Sequence, residues 1–151
     1  MHAPVEPVEQ RSDSRRAVIA ATPVEVFAAI SDPDRIVRWW GPEGFTSTNH
    51  QFDFRFGGTW RLTMHGPDGK DYPNESRFTR LDPAVLFEIE HLSGHHFVLT
   101  IELHPHADGT EVHWRQTFDT IDHYNRLADF VAGANAQNLE RLKAEVLRLR
   151  G

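Results

Sequence analysis

The spacing of apolar residues changes character twice along this chain, and each change marks a different kind of element. Arg16 to Ala21 (RAVIAA) reads as a short first strand. Thr22-Pro23 then has the form of a helix start, with Thr22 as N-cap, Pro23 at the first helical position and Glu25 in the first turn. Val26, Phe27 and Ile30 give that helix one apolar side, and Asp32-Pro33 opens a second short helix. In it Ile36, Trp39 and Trp40 cluster before Gly41-Pro42 ends it.

From Phe45 the period becomes two. Phe52, Phe54 and Phe56 alternate with Asp53 and Arg55, which predicts one half-buried strand until Gly57-Gly58 bends the chain. Trp60, Leu62 and Met64 then oppose Arg61, Thr63 and His65, and Gly66 to Gly69 is a turn. Asn74 to Leu81 reads as a strand, followed by the Asp82-Pro83 turn. Phe87, Ile89 and His91 share a face, as do Phe97, Leu99, Ile101 and Leu103 after a turn at Ser93-Gly94. Asp108-Gly109 signals a hairpin into Val112, Trp114, Gln116 and Phe118.

From about Asp122 to Arg150 the spacing returns to three and four, through Tyr124, Leu127, Ala128, Val131, Ala134, Leu142, Val146 and Leu149. Asp122 at one end and Arg148 and Arg150 at the other suit the macrodipole of a single long helix. A sheet with one apolar face and one long helix to cover it predicts an α+β fold. Six or seven curved antiparallel strands would wrap the C-terminal helix, with two short helices after the first strand. Residues 1–14, charged and aperiodic, are expected to form a flexible tail, leaving 15–151 as one domain.

Composition narrows the function. No apolar run approaches the ~20 residues of a membrane span, so no membrane insertion is expected. Met1 to Arg16 has no apolar signal core, which makes a cytoplasmic location the default. The absence of cysteine removes disulfides and thiolate chemistry. A net charge of −6 argues against nucleic acid as a partner.

Strand alternation places polar groups on the apolar face. His50 follows Phe52, Asn74 and Ser76 follow Phe78, His91 follows Ile89, and Gln116 follows Trp114. Asn135 and Asn138 lie on or near the helical stripe. Buried without partners, each would cost about 1–3 kcal/mol. Three arrangements meet that demand: a core network in which these groups satisfy one another, positions at strand ends in solvent, or a small-molecule pocket. In the pocket arrangement the lining is Trp39, Trp40, Phe54, Trp60, Leu62, Phe78, Ile89, Leu99, Trp114 and Val131, with Asn74, Ser76, His91, Gln116, Asn135 and Asn138 as polar contacts. If the chain is an enzyme, His91 is the candidate for moving a proton.

The ten histidines raise the question of a metal. His95 and His96 are adjacent and point to opposite faces, while Pro105 lies between His104 and His106 near a turn. With no cysteine and no His-Glu-x-x-His spacing, neither a metal nor a cofactor is expected.

The element order and five motifs together resemble a known family. They are Thr22 to Ala29, Asp32-Pro33 through Trp39-Trp40-Gly41-Pro42, Asp53 to Trp60, the Asp82-Pro83 turn, and Thr110 to Phe118 leading into a helix with Asn138, Leu139, Arg141 and Leu142. This pattern is similar to the family named for the activator of the heat-shock-protein-90 ATPase, within the START-like superfamily of birch-pollen allergens and polyketide cyclases. The resemblance implies the helix-grip fold and a small hydrophobic ligand, lipid-like, aromatic or polyketide-like, between sheet and helix. It also implies two alternatives, a cyclase- or hydrolase-like enzyme using His91 and a co-chaperone module, and it leaves a homodimer open. Many members carry a Gly-Trp pair in the last helix where this chain has Gly133-Ala134, which implies extra room beneath the helix. Ile121 to Val131 and the turns around Gly66 and Ser93 are expected to gate access.

Overall fold

A computed structural model of the chain describes residues 5–149. Val8–Arg11 form a 3-10 turn, and β1 (Ser12–Ile19) follows directly. Residues 12–14, expected in the tail, belong instead to the sheet, because β1 pairs with the last strand from Ser12 opposite Thr117. Residues 1–4 of that tail, and Arg150 at the expected end of the last helix, lie outside the described residues. The strand expected from Arg16 to Ala21 thus starts four residues earlier, in the polar run Ser12 to Arg16, which carries no apolar alternation.

The helices begin where their capping chemistry dictates. In α1 (Pro23–Ser31) the Thr22 hydroxyl accepts from the Glu25 N–H at 3.2 Å, and the Thr22 N–H donates to the Glu25 carboxylate at 3.0 Å. That reciprocal pair satisfies two donors the helix cannot. Asp32 caps α2 (Pro33–Trp39) through the Asp34 N–H at 2.9 Å.

The remaining strands are β2 (Thr46–Phe52), β3 (Thr59–His65), β4 (Asp71–Asp82), β5 (Leu86–His91), β6 (Phe97–His106) and β7 (Gly109–Phe118). They form one antiparallel sheet in the order β1-β7-β6-β5-β4-β3-β2. Closing the chain, α3 (Ile121–Arg148) lies across the sheet's apolar face, capped by Thr120. This is the α+β helix-grip architecture.

Two details depart from simple alternation. β2 ends at Phe52, so Phe54 packs inward from a tight loop while Phe56 is 81% exposed. That loop closes because Gly57 takes φ +77° and because a Cβ on Gly58 would lie 1.9 Å from the Asp53 carbonyl oxygen. Second, the register slips between Asn49 and Gln51, leaving His50 as the extra residue of a bulge. Asn49 takes the inward place expected for His50 and accepts from Trp60 Nε1 at 2.7 Å, while exposed His50 pairs with the Thr63 hydroxyl.

The four tryptophans form one string of ring contacts: Trp114 to Trp39, Trp39 to Trp40, and Trp40 to Trp60. Phe52, Phe54, Phe78 and Phe87 extend it. Edge-on and stacked rings of this kind add packing energy beyond area burial. The stripe of α3 is shifted toward its C-terminal half. Val131, Leu139, Leu142 and Val146 are buried, whereas Tyr124, Leu127 and Ala128 are only partly covered and Leu149 is 64% exposed. Among the described residues no helix is long and apolar enough to cross a membrane.

Candidate functional site

Between the concave face of the sheet and α3 lies a half-open cavity of about 390 Å³, a size in the usual range for small-molecule sites. Leu62 and Met64 of β3, Phe97 and Leu99 of β6 and Trp114 of β7 form its apolar wall. Trp40 closes it from the segment after α2, and Val131 and Ala134 cover it from α3. Asn74 and Ser76 of β4, His91 of β5, Gln116 of β7, and Asn135 and Asn138 of α3 bring polar groups to it.

Eleven of the sequence-derived lining residues thus meet at one cavity. Trp39, Phe54, Trp60, Phe78 and Ile89 do not; they belong to the hydrophobic core or pack against it. For Trp60, Phe78 and Ile89 alternation assigns the face correctly but says nothing of position along the strand, and α1 and α2 fill that end of the cup. Trp39 Nε1 donates to the Ala29 carbonyl at 2.9 Å, and Phe54 lies edge-on against Phe27. Conversely, Met64, Tyr72, Phe97, His95 and Phe130 border the cavity without having been singled out as contacts. Met64 and Phe97 were readable, since each shares the face of its strand's lining residues. Of the expected gates, the Ser93-Gly94 turn and the Phe130-Val131 part of α3 border the cavity, and Gly66 does not.

Several polar groups at the cavity are already engaged. Asn135 Nδ2 donates to Asp13 at 3.0 Å and to the Gln116 side-chain oxygen at 2.9 Å. Burial alone would push the Asp13 carboxyl up, but the Arg15 guanidinium and the Asn135 amide outweigh it and hold it below its ordinary range. Asn138 donates to the Trp39 carbonyl at 2.7 Å and accepts from the Gly41 N–H at 3.1 Å. One turn on, Arg141 donates to the carbonyls of Arg38, Trp40, Gly41, Pro42 and Phe45. Helix α3 therefore fixes the backbone that presents Trp40 to the cavity.

His91 sits between two acceptors. Its Nδ1 is 2.7 Å from the His95 carbonyl and its Nε2 is 2.6 Å from Asn74 Oδ1. Asn74 is oriented by its own donation to the Tyr72 carbonyl at 2.8 Å. The ring also stacks on Phe97, centroids 4.4 Å apart. Burial lowers the His91 pKa, outweighing the hydrogen bond to His95 that raises it. A neutral imidazole donates through only one nitrogen, so His91 serves one of these acceptors at a time. The buried indole N–H of Trp114 has no partner among the described residues.

The family model for activator of Hsp90 ATPase homolog 1-like protein matches residues 20–146. A crystal structure of a protein from Nitrosomonas europaea is similar with a TM-score of 0.84 at 17% identity, covering 93% of this chain and 96% of that one. A solution structure from Arthrobacter aurescens has a TM-score of 0.83 at 24% identity, covering 93% and 88%. The AHSA1 protein from Silicibacter pomeroyi has a TM-score of 0.71 at 22% identity, covering 93% and 99%. At such identities these likenesses establish the fold. No curated protein matches the sequence.

Proposed function

The chain belongs to the activator of Hsp90 ATPase homolog 1-like family, in the START-like superfamily, and from that premise we propose that it binds a small hydrophobic molecule beneath α3. The observation that carries this reading is the half-open cavity of about 390 Å³, walled by aromatic and aliphatic side chains with a few polar groups converging on it. Ala134 supports it further. This small side chain borders the cavity, and it leaves the space beneath the helix open. The hydroxyl of Ser76, which borders the cavity, is a group on which a ligand bearing one hydrogen-bond acceptor would register.

Binding is favoured over catalysis by the setting of His91. Both ring nitrogens already face acceptors within 2.7 Å, which holds the ring as part of the wall, and service as a general base would require it to give up one of these contacts. A native mass spectrum of the full-length chain tests the proposal. A bound hydrophobe on the wild type that is lost in His91→Leu supports it. Turnover of a candidate polyketide or ester abolished by His91→Ala would support the enzyme instead. Stimulated ATP hydrolysis by the chaperone would support a co-chaperone.

A further inference from the structure

The opposite face of the sheet carries a second cluster of chemistry-bearing side chains. Ile101 and Leu103 of β6 and Val112 and Trp114 of β7 are buried against the core, so the residues between them project outward. Those residues are Glu102 and His104 on β6 and Glu111 and His113 on β7. The hairpin register sets Glu102 directly opposite His113 and His104 directly opposite Glu111. Four potential ligands thus occupy a square of adjacent positions on two paired strands.

The geometry points to a divalent transition-metal site formed by Glu102, His104 and His113. One ligand atom from each of these three residues lies within 4.8 Å of the other two. His104 Nε2 and the Glu102 carboxylate are 3.5 Å apart. Donors bonded tetrahedrally to zinc at about 2.1 Å are separated by about 3.4 Å, so that pair needs almost no movement. The two imidazole rings are 4.1 Å apart between centroids. Glu111 lies 2.6 Å from His113 Nε2. That contact orients the ring and fixes its proton as carboxylates behind metal-bound histidines do.

Two imidazoles and a carboxylate suit zinc, cobalt, nickel or copper better than calcium or magnesium. A shallow groove of about 320 Å³ borders Glu102 and His113, which leaves room for water in the remaining coordination positions. Arg15, Arg16 and Arg115 also border this groove, and Arg16 lies 3.8 Å from Glu111, so Glu111 acts as a positioning residue shared between Arg16 and His113. Strand positions hold such a set more rigidly than loops do. The site is separated from the ligand cavity by the thickness of the sheet, and it stands whether or not that cavity is filled.

Titration of the full-length chain, carrying no polyhistidine tag, with Co(II) tests the assignment through the visible ligand-field bands, with Zn(II) competing. The expected result is saturation at one ion per chain and a higher melting temperature with Zn(II). His104→Gln and His113→Gln should each weaken binding more than about tenfold, and Glu111→Gln about tenfold, with unchanged circular dichroism. The proposal is overturned if the wild type does not saturate. It is equally overturned if His104→Gln and His113→Gln leave affinity unchanged while His95→Gln with His123→Gln abolishes it, since His95 and His123 form the other close histidine pair, 3.0 Å apart.

Discussion

Asn138 of α3 holds Trp39 of α2 through a 2.7 Å hydrogen bond from its amide to the tryptophan carbonyl. The same amide accepts from Gly41 two residues later, so one side chain brackets the backbone of Trp40. Asn138→Leu removes both bonds and leaves a buried N–H and a buried carbonyl unpaired. Denaturant unfolding should register a loss of about 2 kcal/mol. Because Trp40 borders the cavity, affinity for a bound hydrophobe should fall as well. A stability change below the error of the measurement would mean that Arg141 alone holds this segment.

Glu145 joins α3 to α2 by charge. Glu145 is 6% exposed, and its carboxylate takes Arg35 at 2.9 Å, Arg38 at 3.0 Å and Arg148 at 2.9 Å. Burial would push its pKa up, but the arginines outweigh burial and lower it. Glu145→Gln strands Arg35 in a mostly dry site, while Arg38 and Arg148 retain solvent, so the expected cost is about 2 kcal/mol rather than more. Since the folded pKa is depressed, the carboxylate's contribution is present above the ordinary value of 4.5 and is lost as pH falls through the lowered one. Wild type and variant should converge in stability in acid, as measured by urea midpoints.

His96 gives the opposite pH dependence. Glu90 at 2.8 Å and Asp119 at 2.6 Å raise its pKa above the ordinary 6.5. Its stabilising charge is fully present below 6.5 and is lost as pH rises through the raised value. His91, lowered by burial, works in reverse: its contribution is full above 6.5 and fades as pH falls. Comparing wild type with His96→Gln, the stability gap should shrink as pH rises from below 6.5 through the raised value. A gap that grows over that interval contradicts the assignment.

His91 and Asn74 meet at the cavity wall, 2.6 Å apart. Both are partly exposed, so His91→Leu or Asn74→Leu should leave the fold cooperative and change stability by only about 1 kcal/mol. Ligand affinity should weaken in each. Equal affinity in wild type and both variants, by calorimetric titration, would remove these two residues from the site.

What the chain disclosed in advance was set by local chemistry. The Thr22–Glu25 capping box, the inward faces of β5, β6 and β7, and the hairpin at Asp108-Gly109 are each written within a few residues. What stayed hidden depends on distant partners. β1 begins at Ser12 because Asp13, placed inward, is met by Asn135 of α3. The bulge at His50 comes from β3's demand for Asn49 beneath Trp60. Whether an inward aromatic is core or cavity wall depends on how far α1 and α2 reach along the strands, and alternation carries no such measure. The outer histidine cluster was within reach. Counting back from the Asp108-Gly109 turn pairs Glu102 with His113, while His106 accepts the Asp108 N–H of the turn.

The most direct measurement concerns Ala134, the small residue over the cavity. Titrate wild type, Ala134→Phe and Ala134→Trp with anilinonaphthalene sulfonate, following its emission and the quenching of tryptophan, and record each melting temperature. An occupied chamber beneath α3 requires saturable binding to the wild type at one probe per chain. In the filled variants that binding should fall by about tenfold or more, which is about 1.4 kcal/mol, with melting temperatures no lower than the wild type's. Wild-type protein that takes up no probe, or well-folded variants that bind it as tightly, would contradict the account.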